Sequence, residues 1–345
     1  MFRRPTTFVI GAGASAELGL PVGSALREII SELVNIRFED GCSQTTGDHE
    51  ICEALRFAAR EGPDPSNDIN TYLRAAWQMA QAAPLSLSID NYLEAHQSNS
   101  KAVTVGKLAI TKAILDAESR SKLAYDWREG EGFDLKASEG TWLVRFFQMA
   151  SEGVTASEVL RIFENVSLVV FNYDRCIEHF LITALKSYYA LCDGDALKIL
   201  ATLNIFHPYG TVGPLASSGS LGVRFGAEKQ GGRLLELSRS IKTFSEQIDD
   251  NDSLRSMRQW LRESDQVVFV GFAFHRQNLD ILDVQLESRL SRIIGTCLGI
   301  SGSDTNVIRT SLPNYLHCRL SEVSIDLMGT TCSDILDQYW RTITA

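Results

Sequence analysis

Two hydrophobic rhythms alternate along the chain. Short unbroken apolar runs occupy residues 7–10, 168–171, 203–206, 266–270 and 295–300, with a sixth candidate at 322–327. Continuous apolar runs of this length predict strands buried on both faces, as in a parallel sheet. Between them, apolar positions recur every three or four residues, which predicts helices at 23–34, 69–83, 103–118, 141–151, 175–191, 232–246, 252–262 and 279–286. Residues 41–48 and 62–67 read as loops. The first two strand candidates lie far apart, and residues 22–165 between them carry helical periodicity and almost no strand signal. The expected architecture is a single α/β domain over 1–345. Its doubly wound parallel sheet is flanked by helices, with a helical insertion at 22–165 and the rest of the sheet at 166–330.

Composition narrows the function classes. The chain is 44% hydrophobic and 22% charged, ordinary for a globular protein. No apolar run approaches the roughly 20 residues of a membrane span, and the first residues lack the apolar core of a secretory signal. A cytoplasmic protein without direct membrane contact is expected. The net charge of −10 disfavours nucleic acid as a direct partner. Seven cysteines are scattered, with none of the close pairs that a structural zinc site needs, so no metal is expected.

Four segments past strand ends carry candidate chemistry. Gly11-Ala12-Gly13-Ala14-Ser15 follows the first strand and opens a helix. Glycines there permit a tight turn and close approach of backbone N–H groups to a pyrophosphate. The spacing fits a dinucleotide fingerprint, but the acid that usually follows about twenty residues on, at the end of a second strand, is absent. Glu28 and Glu32 fall in a helix instead, which argues against an ordinary dehydrogenase. Asn172 and Asp174 follow the second strand, where open sheets bind ligands, although either could simply cap the next helix. His207 ends the third strand before a glycine turn, a good position for a general base. Gly271, Phe272 and Asn278 follow the fourth, and could hold a ribose or phosphate or form a plain turn. In a parallel sheet these four strand ends share one edge, which argues for one site.

Taken in order, these segments resemble the sirtuin fold, and specifically the bacterial sirtuin-like NAD⁺ hydrolases of antiphage defence. The resemblance rests on Gly11 to Ser15 with Leu18-Gly19-Leu20-Pro21, then Asn172-Tyr173-Asp174, His207 with Tyr209-Gly210, and Gly271-Phe272 with Asn278; Ser88-Ile89-Asp90-Asn91-Tyr92-Leu93 is similar to a segment of their helical insert. It covers about residues 6–300. Protein deacylases of this fold carry a two-pair cysteine module and Asp-Phe-Arg after the proline; here Val22-Gly23-Ser24 follows and the pairs are missing. The resemblance therefore implies a Rossmann-like sheet and an NAD⁺ glycohydrolase, with a deacylase or a non-catalytic NAD⁺ or ADP-ribose sensor as alternatives. It implies that Asn172 positions the ribose and attacking water, Asp174 holds the carboxamide and His207 acts as base. Gly11, Ala12, Gly13 and Ser15 would bind the pyrophosphate, and Gly271, Phe272 and Asn278 the adenosine side. It also implies abortive infection as the role, a homo-oligomer, and silence until triggered. The trigger is expected from self-assembly, the insert, or a separate activating subunit such as a HerA-type ATPase translocase.

Overall fold

The structure is a computed structural model that describes residues 1–62, 67–125, 133–216, 222–227, 231–248 and 251–345. Most of the expected 62–67 loop lies outside them. The elements run β1 (Thr6–Ile10), α1 (Ala12–Ala16), α2 (Gly23–Val34), β2 (Arg37–Glu39), β3 (Ser43–Thr46), α3 (His49–Glu61), α4 (Asn70–Ala82), α5 (Ile89–Ala95), α6 (Ser100–Arg120) and α7 (Trp142–Ser151). The second half runs β4 (Val166–Val170), α8 (Cys176–Tyr189), α9 (Asp193–Leu200), β5 (Asn204–Phe206), α10 (Gly231–Ser238), α11 (Phe244–Ile248), α12 (Asn251–Glu263) and β6 (Gln266–Val270). It closes with α13 (Arg276–Leu282), β7 (Arg292–Thr296), α14 (Gly302–Tyr315), β8 (Ser324–Met328), α15 (Cys332–Gln338) and α16 (Trp340–Thr344).

Six strands form one parallel sheet in the order β5-β4-β1-β6-β7-β8. Counted by their appearance in the sheet this is 3-2-1-4-5-6, the doubly wound Rossmann-like order. The chain leaves β1 toward β4 and β5, then returns to β6 on β1's other side. The topological switch point, where such sheets bind ligands, therefore lies between the ends of β1 and β6. Register brings the strand ends level: Ile10 pairs with both Val170 and Val270, and Val169 pairs with Phe206. Gly11, Phe171 and Gly271 then leave the sheet side by side.

Each face of the sheet carries its own core. Val9, Val169, Val267 and Phe269 face a layer that includes α2 to α6, α10, α12 and α13. Phe8, Ile10, Leu168 and Val268 face a layer that includes α7, α8, α9, α15 and α16. The segment expected as one helical insertion thus divides, with α2 to α6 on one face and α7 on the other. Apolar spacing explains the insert's long helix: Val105, Leu108, Ala109 and Ile110 of α6 are fully buried. Among the described residues, no helix is long and apolar enough to cross a membrane.

Four local expectations need correction. Residues 41–48 are not all loop: β2 and β3 form an antiparallel hairpin, whose Ser-Gln-Thr-Thr strand is mostly exposed and carries no apolar face to read. The seventh strand lies at Arg292–Thr296, not 295–300, because Gly299 turns with φ +81° and Leu298 faces solvent. The helix expected at 279–286 is α13, capped earlier at His275 and followed by Gln285 at φ 61°. The helix expected at 232–246 breaks after Ser238, where the chain turns inward so that Lys242 N–H donates to Tyr209 O at 2.9 Å.

Candidate active site

At the switch point, backbones approach more closely than side chains allow. Gly11 N–H donates to Val270 O at 3.0 Å and Gly13 N–H to Gly271 O at 2.9 Å. A Cβ on Gly11 would lie 2.6 Å from Gly271 O, and one on Gly271, whose φ is +61°, would lie 2.0 Å from Ala14 N. These glycines let the β1 and β6 loops interlock, and the interlock consumes two of the N–H groups expected to meet a pyrophosphate. Gly13 and Gly271 do not line the cavity; Gly11, Ala12 and Ser15 do.

The cavity has about 130 Å³ of free volume, less than the roughly 300–1,000 Å³ of typical small-molecule sites, so a dinucleotide would extend out of its mouth. Its sheet-side wall holds Gly11, Ala12, Ser15, Phe171, Asn172 and Asp174, and Phe272 and Asn278 line it from the β6 loop. Asn172, Asp174 and Ser15 form a knot. Asn172 Nδ2 donates to Gly11 O at 3.0 Å and to Ser15 Oγ at 2.7 Å, and Ser15 Oγ donates to Asp174 Oδ2 at 2.8 Å. Asp174 Oδ1 accepts Cys176 N–H at 3.1 Å, one residue before the α8 N-cap, which is Arg175. Asn172 is only 7% exposed, and its Oδ1 has no hydrogen-bond partner among the described residues. A buried carbonyl without a donor costs roughly 1–3 kcal/mol, and Asn172 is among the residues that line the cavity.

His207 sits behind this knot and does not line the cavity. Its Nδ1 meets Asn172 O at 3.0 Å and its Nε2 meets Glu178 Oε1 at 2.9 Å. A carbonyl and a carboxylate are both acceptors, so both ring nitrogens must carry hydrogen. Burial alone would lower the His207 pKa, but the Glu178 charge and hydrogen bond outweigh it and raise it above 6.5. Burial likewise raises Glu178, yet His207 overrides this and holds the carboxyl below its usual value. In this arrangement the imidazolium has no lone pair to offer as a base; it positions Asn172 through the backbone.

The rest of the wall includes residues given no role in the sequence analysis. Ser88, Asp90 and Asn91, at the start of α5, line the cavity, as do Tyr173, Tyr209, His275 and Gln277. Asp90 Oδ1 accepts the Tyr173 hydroxyl. Tyr209 Oη donates to Asn278 Oδ1 at 2.7 Å, giving Asn278 a place in the wall with its carbonyl already engaged. The motif Ser88 to Leu93 was visible in the sequence, but its packing onto Tyr173 is a tertiary fact.

Beneath the site lies a buried ion pair. Arg175 and Glu118 are 2% and 0% exposed. Glu118 Oε1 accepts Arg175 N–H and Nε at 3.1 Å each, and Oε2 accepts Nη2 at 2.5 Å. Arg175 also donates to Val223 O at 2.9 Å and Arg224 O at 3.2 Å, and Gly226 N–H donates to Glu118 at 2.9 Å. The pair thus ties α6 to the Asn172 loop and to the chain beyond Gly213. Among the described residues, no three His, Cys, Asp or Glu side chains stand together as a metal site. A scan against protein-family models and a search of curated proteins found no match to this chain.

Proposed function

We propose that this protein binds NAD⁺ in the switch-point cavity and hydrolyses its nicotinamide–ribose bond, releasing nicotinamide and ADP-ribose. The observation that carries the reading is the unpaired Asn172 Oδ1, buried and held rigidly beside Asp174 and Ser15 at the sheet edge where nucleotides bind. The order of motifs, which resembles the sirtuin-like hydrolases, supports it.

The chemistry makes modest demands on the protein. The C1′–N bond breaks with its electron pair passing to the pyridinium nitrogen, which becomes neutral, so the leaving group needs no acid. Charge collects on an oxocarbenium-like ribose, as in other glycosyl transfers. Water adds to C1′ and its proton passes to solvent. Asn172 Oδ1 accepts a hydrogen bond from that water or from a ribose hydroxyl and so fixes the attack geometry. Asp174, an acceptor at the same edge, is suited to the carboxamide N–H₂. Because the water is captured by a cation, a strong base is not required, which fits a His207 whose nitrogens are both engaged.

In Asn172→Ala, nicotinamide release should fall at least about 10²-fold, the scale of lost positioning, when assayed well below a melting temperature that the loss of two buried hydrogen bonds lowers. Chromatography of purified protein with NAD⁺ measures this; wild-type-like release by the variant would sink the assignment. The engaged His207 also favours a second reading, a protein that binds NAD⁺ or ADP-ribose without turnover. Binding in the absence of nicotinamide release, even with an activating partner, would select it. The wider proposal is an antiphage effector that depletes NAD⁺ once a homo-oligomer or partner switches it on.

A further inference from the structure

Dinucleotide sites commonly place an acid on a ribose diol about twenty residues past the glycines, and no strand of the parallel sheet ends in such an acid there; Glu39 ends β2 of the separate hairpin. The fold brings a carboxylate to the cavity from the insert. Ser88 caps α5 by accepting Asn91 N–H at 3.2 Å, and Asp90 and Asn91 lie on the cavity wall. Asp90 accepts the Tyr173 hydroxyl and is supported by Ser88 and its own backbone N–H, and the cavity lining holds His275 but no lysine or arginine among the described residues. Burial pushes the Asp90 carboxyl up, and the hydrogen bonds from Tyr173, its own backbone and Ser88, with the nearby His275, offset this only in part. A carboxylate has about four acceptor positions, so Asp90 can still take a hydrogen bond from a ligand.

Beside it, Asn91 Nδ2 donates to Gln277 Oε1 at 3.1 Å, which orients the Gln277 amide. Gln277 Nε2 is left buried with no acceptor. One wall therefore combines a carboxylate that can accept a further hydrogen bond with an amide that needs an acceptor. A vicinal diol answers both, since its hydroxyls donate to the carboxylate while an oxygen accepts from the amide.

We propose that Asp90, with Gln277, reads the adenosine ribose diol, so that the helical insert carries the determinant separating NAD⁺ from NADP⁺. This rests on the NAD⁺ reading above. A 2′-phosphate at this wall would meet the Asp90 carboxylate, with His275 nearby and no lysine or arginine among the described lining residues, and like charges brought together disfavour the wrong partner.

Calorimetric titration with ADP-ribose and 2′-phospho-ADP-ribose tests this without depending on turnover. Wild type should bind ADP-ribose at least about tenfold tighter than its 2′-phosphate. Asp90→Asn, which keeps the shape, should weaken ADP-ribose about tenfold and bring the two ligands within about threefold of each other. Gln277→Met should weaken ADP-ribose about threefold or more. An unchanged ratio in Asp90→Asn, or equal loss of both ligands, overturns the assignment. If wild type binds neither ligand, the NAD⁺ reading fails and the inference falls with it; if wild type binds ADP-ribose and the variant keeps the ratio, only Asp90 is wrong.

Discussion

Asn172 illustrates how one residue can be structural and chemical at once. Its amide nitrogen spends both hydrogens on Gly11 O and Ser15 Oγ, its backbone carbonyl takes His207, and only Oδ1 remains. The His207–Glu178 pair behind it has a pH signature. His207 is raised in the fold, so its stabilisation is complete below its ordinary value of 6.5 and is lost as pH rises through the higher folded value. Glu178 is lowered, so its share is present above its ordinary 4.5 and is lost as pH falls through the lower folded value. The stability gap between wild type and His207→Gln should therefore be widest between about pH 4.5 and 6.5 and close toward alkaline pH. Melting curves across pH check this, and a gap that widens above pH 7 would contradict it. The glycines make a different residue-scale point. Gly271→Ala would force a Cβ to 2.0 Å from Ala14 N at a φ of +61°, with strain of roughly 1–3 kcal/mol before any clash is relieved. Thermal denaturation should show the loss, and ADP-ribose binding should weaken with it because the β1 and β6 loops part.

At the scale of elements, the site is an assembly of ends. Strand register sets Gly11, Phe171 and Gly271 level, and α5 arrives from the insert to close the opposite wall. What holds α6 beneath that assembly is Glu118 on Arg175. Removing one partner of a buried pair leaves a charge uncompensated. Glu118→Gln should cost about 3–5 kcal/mol in chemical denaturation, where a surface pair such as Arg161 with Glu164 would cost about 0–1 kcal/mol. If Glu118→Gln unfolds with wild-type stability, the pair does not staple the insert to the sheet. Strands and glycine turns were legible in the sequence because burial on both faces writes apolar runs and close backbone approach demands glycine. Asp90, Glu118 and Arg175 were not legible as partners: Glu118 and Arg175 look like solvated helix charges until α6 and α8 pack, and nothing local marks Asp90 as facing Tyr173. The β2–β3 hairpin left little trace because, of its strand residues, only Phe38 and Gln44 are even partly buried.

For the molecule as a whole, the doubly wound order explains why four sequence segments converge, and why the two loops at the switch point matter most. The strand order also has a temporal consequence. β1 is the third strand from one edge, and its register partners begin at Val166 and Gln266. β1 is therefore a central strand made well before either of its neighbours. Contacts so distant in sequence close slowly, and exposed apolar strands invite association in the meantime. The helices of α2 to α6, rich in local contacts, can form during that wait and cover one side of β1 before the sheet exists.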